Sequence, residues 1–442
     1  MLKKIAELVR AAGVVGAGGA GFPTHVKLEA RADIYIVNGA ECEPMLKTDQ
    51  QLVRKYPHQL VKGLAAAMEA TGAREGIIAL KAKYRESITA LESFLQRNMK
   101  IGILPDIYPA GDEALTIWLT TGRRVPPGGI PLNIGVVVNN VQTMLNIAAA
   151  IEEKPVTVRT LTVTGAVKNP KTVTVPVGTS LAEVLALAGG ALSSDLVFIQ
   201  GGPMMGKLVN DLSEPVSKTT GGFIALPKDH PLIKAKGKSL ESVLRIAKTV
   251  CEQCCFCTDL CPRHLIGHEL SPHLIIRAVS YNRLGDPKVL TSALTCSECG
   301  VCEAYACPVG ISPMRVNIAL KAELRAKGVK YEGVISEENI MAKHRLLPSS
   351  RLVAKLGIKP WYAEAPLEDD TYDPEEVNIP LKQHTGAAAV PVVFTGDKVS
   401  QGQLIGEIPE GALGARVHAS INGIVQKVSL HSIQIRKGGG HE

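Results

Sequence analysis

Two runs of cysteine constrain this chain more than any other feature of its sequence. Each run separates its first three cysteines by two residues and adds a fourth that is followed by proline. The first run is C-x2-C-x2-C-x3-C-P, and the second has one more residue before its last cysteine. Three thiolates on a tight loop, completed by a fourth from elsewhere, can hold a [4Fe–4S] cube. The ligand candidates are Cys251, Cys254, Cys257, Cys261, Cys296, Cys299, Cys302 and Cys307.

The fourth cysteine of each run resembles the ligand that two-cluster ferredoxins use to bind the cluster of the other run. We therefore expect one cube on Cys251, Cys254, Cys257 and Cys307, and a second on Cys296, Cys299, Cys302 and Cys261. A chain with two such cubes is a one-electron carrier, whatever else it does.

Two other uses of cysteine stay open at this stage. Structural zinc also uses C-x-x-C pairs, although it usually takes two pairs separated by a longer loop. Disulfides need an oxidising compartment, and we expect no signal peptide because Glu7 and Arg10 interrupt the first apolar residues. Two cysteines lie outside the ligand pattern. We interpret Cys42 as a small buried residue and Cys255 as a surplus thiol.

Composition narrows the class of protein further. At 442 residues the chain is long enough for about three domains. No apolar stretch approaches the ~20 residues that a membrane helix needs, so we expect a cytoplasmic protein that does not span a membrane. A net charge of +7 with only 4% aromatic residues argues against nucleic-acid binding. A mildly basic surface also suits an acidic electron-transfer partner.

The order of predicted elements indicates a multidomain chain that begins with an α/β domain over residues 1–153. Apolar runs that alternate with helical periodicity are typical of this class. The predicted helices are 2–12, 49–71, 84–98 and 141–151, and the predicted strands are 34–37, 76–81 and 136–138.

The remaining sequence divides into smaller modules. Residues 154–232 contain an alternating hairpin and a short helix after Ser180, which predicts a β-grasp-like module with Ser180 as N-cap. Residues 240–330 are mostly helical, with the ligand loops between helices. Residues 331–383 carry prolines and an acidic stretch, which we interpret as an extended linker. Residues 384–442 predict a small all-β module.

A glycine-rich loop at residues 16–21 satisfies G-x-G-x-x-G. The dinucleotide fingerprint must follow a strand and open a helix, whereas here a helix precedes the loop and Phe22-Pro23 follows it. We therefore do not interpret the loop as a Rossmann turn. Consecutive glycines still let backbone N–H groups approach a phosphate or a flat ring. A flexible linker is the alternative on the loop alone.

Four motifs, taken in order, resemble the FMN loop and later segments of the FMN/NADH-binding flavoprotein subunit of respiratory complex I. They are the loop Gly16 to Thr24 with Lys27 beyond, Asn38-x-x-Glu41-x-Glu43-Pro44, Gly111-Asp112-Glu113, and Asn139-Asn140-Val141-x-Thr143. Four motifs in the same order are more specific than one. The chain departs from that family at three positions, with Ala17 in place of arginine, Ala40 in place of an acid and Asp112 in place of glutamate.

Over nearly its whole length the chain resembles the RnfC-like family, and within it the cobalamin reductases of propanediol-utilisation bacterial microcompartments. The tail motifs Gln383-His384-x-Gly386, Gly396-Asp397-Lys398-Val399 and His418-Ala419-Ser420-x-x-Gly423 resemble the RnfC barrel-sandwich module. That module is N-terminal in the membrane RnfC protein and C-terminal here, which favours the microcompartment branch. Residues 154–232 resemble the soluble-ligand-binding (SLBB) module of the same proteins.

The resemblance implies a bound FMN and a nearby NADH. The residues implied for FMN are Gly16, Gly18, Gly19, Lys27, Asn38, Gly111, Asp112, Asn139, Asn140 and Thr143. The acids implied at the nicotinamide side, and therefore candidates for catalysis, are Glu41, Glu43 and Glu113. A nicotinamide delivers two electrons as hydride and a cube accepts one, so a flavin between them converts pairs to single electrons.

The resemblance also implies a function. It implies an NADH-dependent reductase of cobalamin that serves a B12-dependent diol dehydratase, with a corrinoid adenosyltransferase and a shell protein as partners in a microcompartment lumen. Alternatives are the same electron path to a ferredoxin, a flavodoxin or a glycyl-radical system, and a component of the membrane Rnf complex. A cluster relay without a working flavin is a further, non-enzymatic alternative.

Overall fold

The first 150 residues form a parallel sheet with helices packed around it. The computed structural model describes residues 2–281 and 286–438, so parts of the predicted 240–330 and 384–442 modules lie outside the described residues. The strands are β1 Ile34–Asn38, β2 Glu75–Lys81, β3 Met99–Leu104, β4 Ile107–Tyr108 and β5 Val136–Asn140. The helices are α1 Leu2–Ala11, α2 Thr24–Leu28, α3 Thr48–Lys55, α4 Pro57–Thr71, α5 Arg85–Glu92, α6 Glu113–Thr121 and α7 Val141–Ala150.

Four of the described strands pair in the order β3-β2-β1-β5, all parallel. Their apolar side chains are buried on both faces, as expected of a parallel sheet covered by helices. Because the strands are parallel, the loops that follow Asn38, Lys81 and Asn140 meet at one edge of the sheet. Ligands of open α/β sheets bind at this carboxyl edge, and the predicted FMN motifs are gathered there.

The predicted helix 49–71 is two helices in the structure. Helix α3 ends at Lys55, Tyr56 has non-helical backbone angles, and α4 begins at Pro57. Proline lacks an N–H and disfavours helical geometry in the preceding residue, but it fits the first helical position. The predicted helix 84–98 is also shorter, since α5 covers only Arg85–Glu92.

The second module is built on a mixed sheet. Its elements are β6 Val158–Gly165, β7 Lys171–Pro176, α8 Leu181–Leu187, β8 Leu196–Gln200, β9 Lys207–Val209 and β10 Gly222–Pro227. The hairpin of β6 and β7 forms as predicted, with Thr160 paired to Thr174. Ser180 caps α8 in a reciprocal box with Glu183, in which the side chain of each residue accepts the other's backbone N–H.

The cysteine region is helical, with its ligands in loops and at helix ends. The helices are α9 Pro231–Lys236, α10 Leu240–Val250, α11 Phe256–Asp259, α12 Pro262–Leu265, α13 Pro272–Tyr281, α14 Pro287–Thr291 and α15 Pro313–Ala326. Each run ends in Cys-Pro; Pro262 opens α12, and a short π-helical turn covers Cys302–Ala306 in the second run. Several of the cysteines pack against a cluster of buried apolar residues from α10, α13 and α15.

The segment predicted as an extended linker, 331–383, contains regular structure from residue 342 onward. It contains α16 Ala342–Arg345, β11 Leu347–Pro348, α17 Ser349–Leu356, β12 Leu367–Thr371 and β13 Glu376–Pro380. Strand β11 pairs with β4, and β12 extends the second sheet beside β7. The prediction of an extended linker is wrong for these residues, because prolines also occur at the ends of short strands and helices. Leu347, Leu352 and Ile358 are buried in a shared core and hold the segment against the other modules.

The C-terminal module consists of short strands in two small sheets. Its further strands are β14 Val390–Pro391, β15 Lys398–Val399, β16 Leu404–Glu407, β17 Val417–His418, β18 Gly423–Val428 and β19 Ser432–Arg436. Strand β13 pairs with β19, so this module begins within the predicted linker rather than at residue 384. Thr385 reaches the glycine-rich loop, where its N–H donates to the Gly21 carbonyl and its hydroxyl to the Ala20 carbonyl. None of the helices in the described ranges is long and apolar enough to cross a bilayer.

The cap of α8 can be tested by substitution. Ser180→Ala removes a side chain that accepts the Glu183 N–H at 3.2 Å, and loss of such a cap costs about 1 kcal/mol. We expect a lower thermal unfolding midpoint. Ser193→Ala, at an exposed position of the same module, is the control and should leave the midpoint unchanged. Equal midpoints for both variants would contradict the assigned cap.

Candidate cofactor sites

The glycine-rich loop presents free backbone amides at the carboxyl edge of the first sheet. Gly18, Gly19 and Ala20 are exposed, and the amides of Gly18 and Gly19 donate to no acceptor among the described residues. The ends of the loop are closed by the Gly16 N–H, which donates to the Phe22 carbonyl at 2.9 Å. Amides that point away from their own chain can bind an anion.

The end of β5 and the first turn of α7 support the glycine-rich loop. Thr143 is fully buried and accepts the Ala17 N–H at 3.0 Å. Asn140 caps α7 and lies so close to Gly18 that a Cβ on Gly18 would stand 2.9 Å from the Asn140 Cβ. Asn139 is turned the other way, since its amide donates to the buried Tyr35 hydroxyl at 2.6 Å. Adjacent residues of a strand face opposite sides, so this geometry does not support Asn139 as an FMN contact.

Lys27 and Glu113, which come from distant motifs, meet across the cleft. The Lys27 Nζ lies 3.3 Å from Glu113 Oε1 and donates to the Val138 carbonyl at 2.8 Å. Both side chains remain partly exposed, at 26% and 42%. The structure therefore brings a predicted FMN residue and a predicted nicotinamide-side acid together where a ligand can reach both.

The loop after β1 is tied to the loop before α6 through Asn38. The Asn38 amide donates to the Gly111 carbonyl at 2.8 Å, and the Gly111 N–H donates to the Cys42 thiol. A Cβ on Gly111 would stand 2.8 Å from the Cys42 Sγ, so glycine is required for this close approach. Burial raises the pKa of Cys42 to about 12. Cys42 is thus more than the small packing residue that its sequence context predicts, since it lies within the predicted site.

Glu41 is partly buried, and its carboxylate positions α3. Its Oε2 accepts the Asp49 N–H at 3.0 Å, and burial together with the neighbouring Asp49 raises its pKa above the ordinary glutamate value. Burial also raises the pKa of Asp49, whose Oδ2 accepts from the Asn140 amide at 2.7 Å. These contacts join the motif after β1 to the motif after β5.

Glu43 has partners in the second module. Its carboxylate accepts the Met204 N–H at 2.8 Å and the Met205 N–H at 2.7 Å, and burial raises its pKa. Lys236 braces the same turn by donating to the Met204 and Gly206 carbonyls. Both carboxylate oxygens of Glu43 are thus occupied, which does not support Glu43 as a free nicotinamide-side acid in this conformation.

Asp112 connects the predicted FMN site to the second cysteine set. It caps α6 by accepting the Leu115 N–H at 3.1 Å, and its second oxygen pairs with Arg263 Nη2 at 2.8 Å. The two side chains are 7% and 17% exposed. Arg263 follows Cys261-Pro262 directly. This buried pair fixes the segment that follows Cys261 against the start of α6 at the cleft.

The first ligand set comes together as the exchanged pattern predicts. A pocket is lined by Cys251, Cys254, Cys257 and Cys307, and also by Cys255. Burial raises the pKa of Cys257 to about 12, and the neighbouring thiols of Cys307, Cys254 and Cys251 act in the same direction. Cys254 is exposed. Thiols in such a group become thiolates only when a metal centre compensates their charge.

The second ligand set is more deeply buried. Burial raises the pKa of Cys302, and the neighbouring Cys296, Cys299 and Cys261 raise it further. Cys261, Cys299 and Cys302 are each below 10% exposed. The Tyr108 hydroxyl, from the first module, donates to the Cys299 carbonyl at 2.5 Å. The structure thus places Cys261 with the second run and Cys307 with the first.

The residues present fit the groups that the motifs imply. Each cysteine set supplies four sulfurs, which is the donor set of a [4Fe–4S] cube. Among the described residues no three His, Cys, Asp or Glu side chains surround a point closely enough to hold a single metal ion. The cleft offers free amides at Gly18 and Gly19 and a lysine, Lys27, at its edge. These are features of a site for a phosphate-bearing cofactor.

Arg159 is a part of the site that the sequence analysis missed. It lies on β6 of the second module, is 4% exposed, and its Nη2 donates to the Ala17 carbonyl at 3.0 Å. Its Nε donates to the Thr220 carbonyl at 2.6 Å. A guanidinium from another module therefore supports the loop at Ala17, the position where the complex I family has its own arginine. An arginine in an alternating strand carries no signal of such burial.

Comparison with known families assigns a domain type to each module. Residues 9–149 match the Nuo51 FMN-binding domain, 160–208 the SLBB domain, 250–312 a 4Fe-4S dicluster domain, and 359–439 the RnfC barrel sandwich hybrid domain. The predicted fold class, FMN and the two clusters are confirmed at this level. The exact domain limits and the roles of individual residues stay predictions.

Similarity to whole proteins extends over almost the full chain. The chain is 60% identical to the cobalamin reductase PduS of Salmonella typhimurium over 98% of its length and 97% of that protein. It is 59% identical to PduS of Citrobacter freundii over 98% of the chain and 96% of that protein. One component of the Na(+)-translocating ferredoxin:NAD(+) oxidoreductase complex of Acetobacterium woodii is 37% identical over 59% of the chain and 58% of that protein.

The crowding at Gly18 leads to a prediction about FMN affinity. In Gly18→Ala the new Cβ would stand 2.9 Å from Asn140. Overpacking of this kind costs about 1–3 kcal/mol, so we expect FMN affinity to fall by about tenfold or more. Gly237→Ala, at an exposed position outside the cleft where a Cβ would have ordinary contacts at 3.5 Å, is the control. Flavin fluorescence during titration measures both, and equal affinities would argue against this placement of the loop.

The buried pair of Asp112 and Arg263 leads to a prediction about stability. Arg263→Met leaves a buried carboxylate without its partner, which costs about 3–5 kcal/mol. We expect a clear drop in the thermal midpoint of the anaerobic holoprotein. Lys327→Met breaks the exposed pair with Glu323 and should have no measurable effect. A midpoint for Arg263→Met that matches the wild type would show that the pair does not hold the two modules together.

Proposed function

The chain belongs to the family of the cobalamin reductase PduS, and on this basis we propose that it is an NADH-dependent flavin and iron–sulfur reductase of cobalamin. The observation that carries the proposal is the 60% identity to a named cobalamin reductase over 98% of the chain. The aligned region spans all four domain types that the chain contains, which supports the same reaction.

The chain's own residues have separable tasks in this proposal. The amides of Gly18 and Gly19, with Lys27, would bind the FMN phosphate and ring edge, and Asn140 and Thr143 would keep the loop in place. The two cysteine sets would each hold one cube. When bound, FMN exchanges electrons in pairs with a nicotinamide and singly with iron–sulfur clusters.

The nicotinamide side is best supported at Glu113. Its carboxylate is 42% exposed and 3.3 Å from Lys27, whereas Glu41 and Glu43 are occupied by backbone amides. We therefore propose that Glu113 orients NADH at the cleft, beside the Lys27 that would bind FMN. Glu41 and Glu43 would act as positioning residues, since each fixes the loop after β1 to a neighbouring element.

The contacts between modules favour a short connection between the cleft and the second cysteine set. Asp112 adjoins Glu113 in the chain and pairs with Arg263, and Tyr108 donates to the carbonyl of Cys299. Buried hydrogen bonds to ligand loops also tune cluster potentials. The first set, with its exposed Cys254, would then face the electron acceptor.

The setting of the reaction is part of the proposal. The resemblance to microcompartment cobalamin reductases favours a cytoplasmic protein in a bacterial microcompartment, where reduced cobalamin would pass to a corrinoid adenosyltransferase for a B12-dependent diol dehydratase. The relative from Acetobacterium woodii acts in a complex named for ferredoxin and NAD(+). A ferredoxin is therefore the alternative acceptor to compare.

Cofactor content and acceptor choice can be tested in one anaerobic preparation. We expect about eight irons and one FMN per chain, bleaching of the flavin by NADH, and reduction of cob(II)alamin or cob(III)alamin followed by absorbance. In Cys302→Ser we expect about half the iron, with flavin bleaching retained and cobalamin reduction lost. Cys255→Ser, which changes a thiol outside the ligand pattern, is the control and should keep all three properties.

Three results would contradict the proposal in different ways. About two zinc ions per chain without flavin would remove both cofactor assignments. Clusters without a flavin that NADH bleaches would indicate an electron relay. Full flavin and iron content, with reduction of ferredoxin but not of cobalamin, would replace the acceptor.

A further inference from the structure

A cavity of about 300 Å³ lies behind the loop that follows β1. Its walls come from that loop, from residues 81–84 after β2, and from α17 with the segment up to Glu364. No residue of the glycine-rich loop and none of the cluster ligands lines it. The cavity is therefore separate from the proposed FMN and cluster sites, although Glu41, Cys42 and Glu43 form part of its wall.

Three lysines line this cavity, and one of them has no hydrogen-bond partner among the described residues. The Lys47 side chain is buried, at 7% exposure, and its ammonium donates to no acceptor in the described part of the chain. It lies 4.8 Å from the centre of the Tyr362 ring, a cation–π contact. Lys81 is 2% exposed and has only long contacts of 3.4 Å to Ser349 Oγ and Asp106 Oδ1. A buried ammonium is costly unless it is paired and hydrogen-bonded.

The carboxylates near the cavity do not balance these lysines. Glu41 accepts the backbone amides of Asp49 and Gln50, and Glu43 accepts those of Met204 and Met205. Asp106 is shared between Lys81 and Lys83, at 3.4 and 3.0 Å. Glu364 is the carboxylate left to attract Lys47, and it forms no ion pair with it.

The charges around Lys47 also indicate that its ammonium lacks a partner within the described ranges. Burial lowers the pKa of Lys47, with Glu364 acting against the shift and Lys83 adding to it. Glu41 and Asp106 also act against the shift, but Glu41 already accepts two backbone amides and Asp106 is shared between Lys81 and Lys83. An anion in the cavity would supply the acceptors that Lys47 and Lys81 lack.

We propose that this cavity is a binding site for a small anion that carries a phosphoryl or carboxylate group, held chiefly by Lys47 and Lys81. Lys83 would add charge at the rim, and Gln50 and Tyr84 offer polar groups on the wall. A volume near 300 Å³ is at the lower end of ligand pockets. It suits phosphate, pyrophosphate or a short dicarboxylate and is too small for a dinucleotide or a corrinoid.

An anion bound in this cavity would affect the contacts of the flavin cleft. Cys42 lines the cavity and also accepts the Gly111 N–H, and Gly111 in turn accepts from Asn38. An anion bound on one side of the loop would therefore stiffen the contacts on its other side. Effects of bound anion on flavin absorbance are the expected spectroscopic sign of this connection.

The test uses calorimetric titration of the anaerobic holoprotein at constant ionic strength, without NADH or cobalamin, so that its result is independent of the proposed reaction. The probes are inorganic phosphate, pyrophosphate and succinate, with chloride as background. We expect saturable binding of at least one probe, and the preferred probe distinguishes phosphoryl from carboxylate ligands. Lys47→Met should weaken it by about tenfold or more, and Lys47→Arg should retain it.

Lys154→Met, at an exposed lysine far along the chain, is the matched control and should bind as the wild type does. If Lys47→Met fails to fold, a wild-type crystal soaked in tungstate serves instead and should show anomalous density between Lys47 and Lys81. No saturable binding of any probe, equal affinity in Lys47→Met and wild type, or an empty cavity in the soaked crystal would each overturn the proposal.

Discussion

The arrangement of this protein depends on one carboxylate that serves two modules. Asp112 caps α6 at the cofactor cleft and pairs with Arg263 beside a ligand of the second cysteine set. Both groups are nearly buried, so each would be costly without the other. A cofactor cleft and a metal centre in separate modules must keep a constant separation if electrons are to pass between them. The shared pair provides this constraint without a covalent link.

The same principle recurs at the other contacts between modules. Arg159 of the second module donates to the glycine-rich loop, Glu43 of the first accepts from a turn of the second, and Lys218 joins Gly13 to Arg416 of the tail. In each case an ionisable side chain meets backbone groups of another module. A hydrogen bond to a backbone group fixes the position of the side chain without an opposite charge. The relative placement of the modules therefore depends on backbone geometry as well as on ion pairs.

Features encoded locally were predictable from the sequence. Cysteine spacing predicted the two groups of four cysteines that the structure brings together, and the cap at Ser180 followed from the preference of serine for the position before a helix. The break at Pro57 was also a local signal, but helical periodicity on both sides concealed it. Contacts between modules could not be predicted from the sequence. Arg263 is 151 residues from Asp112, and Arg159 resembles any exposed strand residue. The linker prediction failed for the same reason, since the apolar side chains of Leu347 and Leu352 find their partners only in other modules.

The contact of Thr385 with Ala20 and Gly21 has a consequence for the order of biogenesis. A loop near the N-terminus is completed by a residue 365 positions later in the chain. Domains generally fold in sequence as they leave the ribosome, so the first module can form long before this clasp exists. Closure of the loop is then a late event that waits until residue 385 has been synthesised, and a chain terminated before that residue would leave Ala20 and Gly21 without this contact.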